Sequence, residues 1–100
     1  MTKLNKLFEE VKNLNPEDYY SSKLYSNRRY RKRGDWQEGG LCPFHSDSRP
    51  GSFWINTSSG AFNCFSCGNK GGDIIAFEMQ LNSCKFQQAL SNIAEEWRVK

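Results

Sequence analysis

The sequence predicts an α+β fold: a small ribbon with a short antiparallel sheet, flanked by an N-terminal helix and two C-terminal helices. Three observations carry this expectation. Apolar residues recur at helical spacing at both ends of the chain. Two β-like runs, Ser52-Phe53-Trp54-Ile55 and Ala61-Phe62-Asn63-Cys64-Phe65, occupy the middle. Two short pairs of soft ligands, Cys42-x-x-His45 and Cys64-x-x-Cys67, bracket those runs.

Leu4, Leu7, Phe8, Val11 and Leu14 follow i, i+3, i+4, i+7 spacing, which predicts an amphipathic helix over residues 3–14. Asn15 then offers an N-cap and Pro16 a first helical position, with Glu17 and Asp18 in the favourable first turn, so a second short helix is expected over 16–24. Gly34-Asp35 and Gly39-Gly40 mark turns on either side of Trp36. Asn56-Thr57-Ser58-Ser59-Gly60 suits a hairpin connection between the β-like runs. Asp73 is a good N-cap for a helix whose apolar surface is Ile74, Ile75, Phe77 and Leu81. Ser83 is expected to cap the last helix, whose stripe is Phe86, Ala89, Leu90, Ile93, Ala94 and Trp97. That stripe reads as core, with docking of a partner domain as its other use. A helical and basic lead-in over residues 1–33 and a ribbon with closing helices over 34–100 form one compact unit.

A chain of 100 residues is one domain. Domains this small often rely on a metal or on disulfides. With 37% hydrophobic and 25% charged residues it is globular rather than disordered. The formal charge of +3 is too mild to identify a nucleic-acid partner by itself. No apolar run approaches the roughly 18 residues of a membrane-spanning helix, and the N-terminus lacks a signal peptide's apolar stretch. The expected compartment is therefore the cytoplasm, where cysteines stay reduced and read as metal ligands before disulfides.

The two ligand pairs are separated by residues 46–63, so a hairpin can bring their turns together. Three thiolates and one imidazole suit the tetrahedral, closed shell of one structural zinc ion, held by Cys42, His45, Cys64 and Cys67. The imidazole argues against an iron–sulfur cluster. Gly68 is free to take a positive φ after the last ligand, and Pro43 stiffens the other turn. The competing interpretation, a redox Cys-x-x-Cys with an unrelated histidine, leaves the chain's only histidine at ligand spacing by coincidence. Cys84 has no partner at short spacing and reads as a small buried apolar residue. Four strong ligands leave no open coordination position, and no Ser/His/Asp set is available, so these residues offer no catalytic centre.

The stretch from Cys42-Pro43-Phe44-His45 to Ser52-Phe53, followed by Phe62-Asn63-Cys64-Phe65-Ser66-Cys67-Gly68 and Gly72-Asp73-Ile74-Ile75-Ala76-Phe77, resembles the N-terminal zinc-binding domain of bacterial-type DNA primases. This is a Cys-His-Cys-Cys zinc ribbon also found in phage and plasmid primases. The likeness covers about residues 34–97 and is loose over 1–33. Gly51 stands inserted where the family runs Pro-Ser-Phe, and the segment from Gly68 to Asp73 is slightly long. The resemblance implies a single-stranded template as ligand and a part in choosing where a primer begins. It also implies a primase catalytic domain or a replicative helicase as protein partner. The polymerising carboxylates of that family lie in a separate domain, so the chain is expected to be either a fragment or a free-standing relative from a mobile element.

Single-strand binding needs cations for phosphates and flat side chains for bases. Arg28, Arg29, Arg31, Lys32 and Arg33 offer the first, with Tyr30 and Trp36 as candidate platforms. The resemblance adds Arg49 and Lys70, which flank the two ligand turns at positions where the family carries basic template contacts. The same basic run could instead be a solvated edge strand, since edge cations also block aggregation. Strand alternation places Phe53 and Ile55 on one face and Trp54 on the other. We expect Phe53 in the core and Trp54 exposed to the template. Phe44 and Phe65 are expected to pack over the metal site rather than stack on bases. Two further functions compete: a protein-interaction module of a mobile-element replication or transfer system, with zinc as staple, and a transcription-type zinc ribbon, whose usual ligands are four cysteines.

Overall fold

In the computed structural model, residues 3–24, 31–45 and 51–97 are described, with side chains from Lys6 onward. Arg28, Arg29, Tyr30 and Arg49 lie outside the described residues.

The chain runs through α1 (Lys3–Lys12), α2 (Pro16–Lys23), β1 (Lys32–Arg33), β2 (Trp36–Glu38), β3 (Phe53–Asn56), β4 (Phe62–Cys64), β5 (Lys70–Gly71), α3 (Ile74–Asn82) and α4 (Phe86–Glu96). The α+β expectation holds. The first helix ends at Lys12 rather than at residue 14, because Asn15 starts the next one: its Oδ1 accepts from the N–H groups of Glu17 (2.8 Å) and Asp18 (3.3 Å). Asp73 caps α3 as expected, accepting from Ala76 N–H at 2.8 Å.

Ser83 is a correction. It is the C-cap of α3, with φ 50°, and its N–H returns to the Met79 carbonyl. A residue in that left-handed conformation cannot supply the extended backbone that an N-cap requires. Lys85 takes the N-cap of α4 instead, without a side-chain hydrogen bond.

The five strands form an antiparallel meander in the order β1-β2-β3-β4-β5. The β3–β4 hairpin closes as the sequence suggested. Asn56 Oδ1 accepts from Ser58 and Ser59 N–H, and Gly60 (φ +85°) donates back to the Asn56 carbonyl.

One sheet face is core. Phe53, Ile55, Phe62 and Cys64 are buried on it. Phe77 of α3 is the hub of that core, with ring centroids 5.0 Å from Tyr20, 5.3 Å from Phe44 and 5.4 Å from Phe62. Two hydroxyls are buried with their acceptors: Tyr20 donates to the Gly60 carbonyl (2.6 Å), and Tyr19 to Glu78 Oε1 (2.5 Å). Glu78 also accepts from Asn82 and pairs with Lys23, which reaches on to Glu96 at 2.7 Å. This network ties α2 to α3 and α4.

Of the α4 stripe, Ala89, Leu90, Ile93 and Ala94 are buried, and Trp97 is half-buried beside Tyr19. Phe86 is the exception, exposed at 39% and paired with Phe8 at 5.7 Å. It sits in the first position of α4.

Candidate metal centre and nucleic-acid interface

The turn after β2 carries Cys42 and His45, and the turn leaving β4 carries Cys64 and Cys67. Pairing of β2 and β4 with the shared neighbour β3 brings the two turns together. The four ligand atoms all lie within 4.8 Å of one another, and the Sγ atoms of Cys42 and Cys67 are 3.8 Å apart. A tetrahedral ion with Zn–S bonds of about 2.3 Å has a sulfur–sulfur edge of about 3.8 Å, so the cradle matches zinc in size as well as in donor type.

Backbone groups support the sulfurs. Phe44 N–H donates to Cys42 Sγ at 3.4 Å, and Cys67 N–H to Cys64 Sγ at 3.5 Å. Without a metal, burial pushes the Cys42 thiol up to about 12. Burial acts the same way on Cys64, but the N–H groups of Cys67 and Ser66 overcome it and hold that thiol below its ordinary value. Gly68 adopts φ +82°, the left-handed turn expected after the last ligand. Phe44 packs beside the ligands, within 6.1 Å of Phe53 and 5.5 Å of Phe62. Cys84 lies apart from the cluster, half-buried against the core.

The opposite sheet face is built differently. Strand register aligns Glu38, Trp54, Asn63 and Lys70 of β2–β5 in one row, and Arg31, just before β1, extends it through the Glu38 N–H bond to its carbonyl, a span of about 19 Å at the usual strand spacing. A second row holds Arg33, Trp36 and Asn56. Arg31, Lys32, Arg33, Trp36, Trp54, Asn63 and Phe65 line a groove of about 590 Å³ on this face.

Two of the groove's side chains, Arg31 and Trp54, are held by contacts. The Arg31 guanidinium lies 6.0 Å from the Trp54 ring centroid and 3.2 Å from Glu38 Oε2. The Arg31 N–H donates to the other Glu38 oxygen at 2.9 Å. Trp54 donates its indole N–H to the Gly51 carbonyl at 3.1 Å, which fixes the ring's orientation. Gly51, at φ +128°, thus helps to orient Trp54.

The structure gathers Arg31, Lys32, Arg33, Trp36 and Trp54 of the sequence candidates into one groove, and sets Lys70, exposed, at the far edge of the same face. Phe53 is fully buried and Trp54 half-buried on the other side, as alternation requires. The expectation that Phe65 packs over the metal fails: it is 73% exposed and lines the groove. Asn63 was not among the sequence candidates. Both were legible, since Phe62 and Cys64 face inward and a period of two then turns residues 63 and 65 outward.

Comparisons with known proteins agree with this geometry. The model of the CHC2 zinc finger family matches residues 22–100. The DNA primase of Borreliella burgdorferi is 44% identical over 57 residues, covering 57% of this chain and 10% of that protein. The DNA primase of Clostridium acetobutylicum is 32% identical over 91 residues, covering 90% of this chain and 14% of the relative. A crystal structure of the Aquifex aeolicus primase, comprising its zinc-binding and RNA polymerase domains, aligns with the whole chain at a TM-score of 0.69 and 27% identity, over 23% of that structure. The chain thus spans about a twelfth to a seventh of the curated relatives it matches. Carrying a metal cradle that fits zinc and a family match over most of its length, the chain belongs to the CHC2 zinc finger family of DNA primases.

Proposed function

We propose that the chain is the template-binding module of a DNA primase, which holds single-stranded DNA and helps primer initiation without performing chemistry itself. Cys42, His45, Cys64 and Cys67 hold one zinc ion, whose closed shell supplies structure only. The observation that carries this reading is the outer groove, where Arg31, Lys32 and Arg33 stand beside the exposed faces of Trp36, Trp54 and Phe65. Cations that meet phosphates next to flat rings that stack on bases are the two requirements of sequence-tolerant single-strand binding. Arg28, Arg29, Tyr30 and Arg49 belong to the same proposal by their sequence neighbourhood, and Lys70 by its place on that face. The protein partner is a primase catalytic domain or a replicative helicase, and the setting is the cytoplasm. Among the described residues no helix is long and apolar enough to cross a membrane.

The test is the salt dependence of binding to a labelled single strand. Each phosphate contact contributes about −0.7 to the slope of log affinity against log salt for single strands. Changing Arg31, Lys32 and Arg33 together to Gln should weaken binding across sequences and make that slope shallower by about 2. A triple variant that binds like the parent at every salt concentration would overturn the reading. A zinc-stapled protein-interaction module is the second reading, favoured by the partly exposed Phe8–Phe86 pair on α1 and α4. It expects no intrinsic DNA affinity and a specific protein partner at those helices.

A further inference from the structure

The geometry points to Asn63 as the residue that reads base identity in the bound strand, with adenine as the base it matches best. This rests on the single-strand reading above and goes beyond it, because phosphate contacts carry no sequence information and stacking gives only modest preferences.

Among the described residues, the groove contains one amide side chain, that of Asn63. It projects from the outer face of β4, directly opposite Trp54 on β3 and Lys70 on β5. Cross-strand neighbours in such a position hold their Cβ atoms about 5 Å apart. A base laid on the Trp54 ring therefore presents its edge beside the Asn63 amide, with Lys70 next along the row for a phosphate.

Two other polar side chains near that point are engaged. The Trp54 indole N–H is bound to the Gly51 carbonyl, and both Glu38 oxygens are bound to Arg31. The Asn63 amide makes no hydrogen bond among the described residues, and it is half-buried rather than fully solvated. It offers a donor and an acceptor on one planar group, the pattern that pairs with the N6 donor and N7 acceptor of adenine. In a single strand that edge is open.

The experiment uses the zinc-loaded chain and thymine strands of about twelve nucleotides, within the usual site size. One central position is varied among the four bases. The parent is expected to favour the adenine strand over the all-thymine strand by about fivefold or more, the lower end of one good bidentate contact. In Asn63→Ala that ratio should fall to about one. In Asn63→Asp, which keeps only acceptors, the preference should move toward cytosine, whose N4 is a donor. Near-UV circular dichroism and zinc content confirm that both variants are folded. A parent without base preference, or an Asn63→Ala variant with the parent's ratio, overturns this inference and leaves the single-strand reading standing. A parent that binds none of the strands overturns both.

Discussion

At the scale of single residues, the most demanding groups are Tyr19 and Tyr20. Both are buried, and burial raises both hydroxyl pKa values well above the ordinary 10.0; Glu78 adds to the shift at Tyr19, and Asp73 at Tyr20. Lys23 is also raised: burial alone would lower it, but its bonds to Glu96 and Glu78 prevail. An unfolded tyrosine loses its proton from about pH 10, while the folded one keeps it, so the folded state binds more protons there and stability falls as pH rises. The stabilisation is complete below pH 10.0, and each tyrosine should cost about 1.4 kcal/mol per pH unit above it. Lys23 acts in the same direction, losing its contribution as pH rises through its raised value. Thermal melts between pH 8 and 11 should show this decline, and Tyr20→Phe should flatten it. An unchanged melting temperature across that range would contradict the account. The ligand residues were legible because sequence spacing alone brings each pair onto one turn. Tyr19 and Tyr20 were not, because their burial depends on α2 lying over the sheet, which no local pattern encodes.

At the scale of elements, close approach sets the constraints. Gly71 in β5 lies opposite Phe62, and a Cβ there would meet the Phe62 ring at 2.5 Å and Ala76 Cβ at 2.8 Å. The Phe62 ring is buried among Phe44, Phe53 and Phe77 and has no room to retreat. Gly71→Ala should therefore cost about 1–3 kcal/mol, measured by urea unfolding at constant zinc. A variant as stable as the parent would show that β5 can lift away from α3. Caps and alternation at this scale were readable at Asn15, Asp73, Phe53 and Trp54. Ser83 was misread because the turn between α3 and α4 is resolved by the end of α3, which claims the residue in a left-handed cap before α4 can use it. Phe65 was misread because a position between two ligands suggests packing on the metal, whereas continuation of the β4 alternation carries it outward.

At the scale of the molecule, one ion joins the two turns that organise the sheet. Metal binding and folding of such a site are one equilibrium, since the cradle does not exist in the unfolded chain. Strong chelation, or Cys64→Ser, should abolish the near-UV signal of the packed aromatics, and native mass spectrometry of the parent should show one zinc per chain. A metal-free chain with an unchanged near-UV spectrum would contradict the staple. The α+β class and the ligand set followed from spacing and periodicity. The groove did not, because it exists only when register lines up residues from five strands that are distant in sequence. The basic run gave its charge away in the sequence but not its neighbours.

The central claim is that the zinc-held sheet offers this groove to a single strand. Its most direct measurement is chemical-shift mapping of the labelled, zinc-loaded chain during titration with a short single-stranded oligonucleotide. The account expects shifts at Arg31, Lys32, Arg33, Asn63 and Phe65 and at the indole N–H groups of Trp36 and Trp54, with the α1 and α4 face unmoved. Shifts confined to α1 and α4, or none at saturating strand, would contradict it.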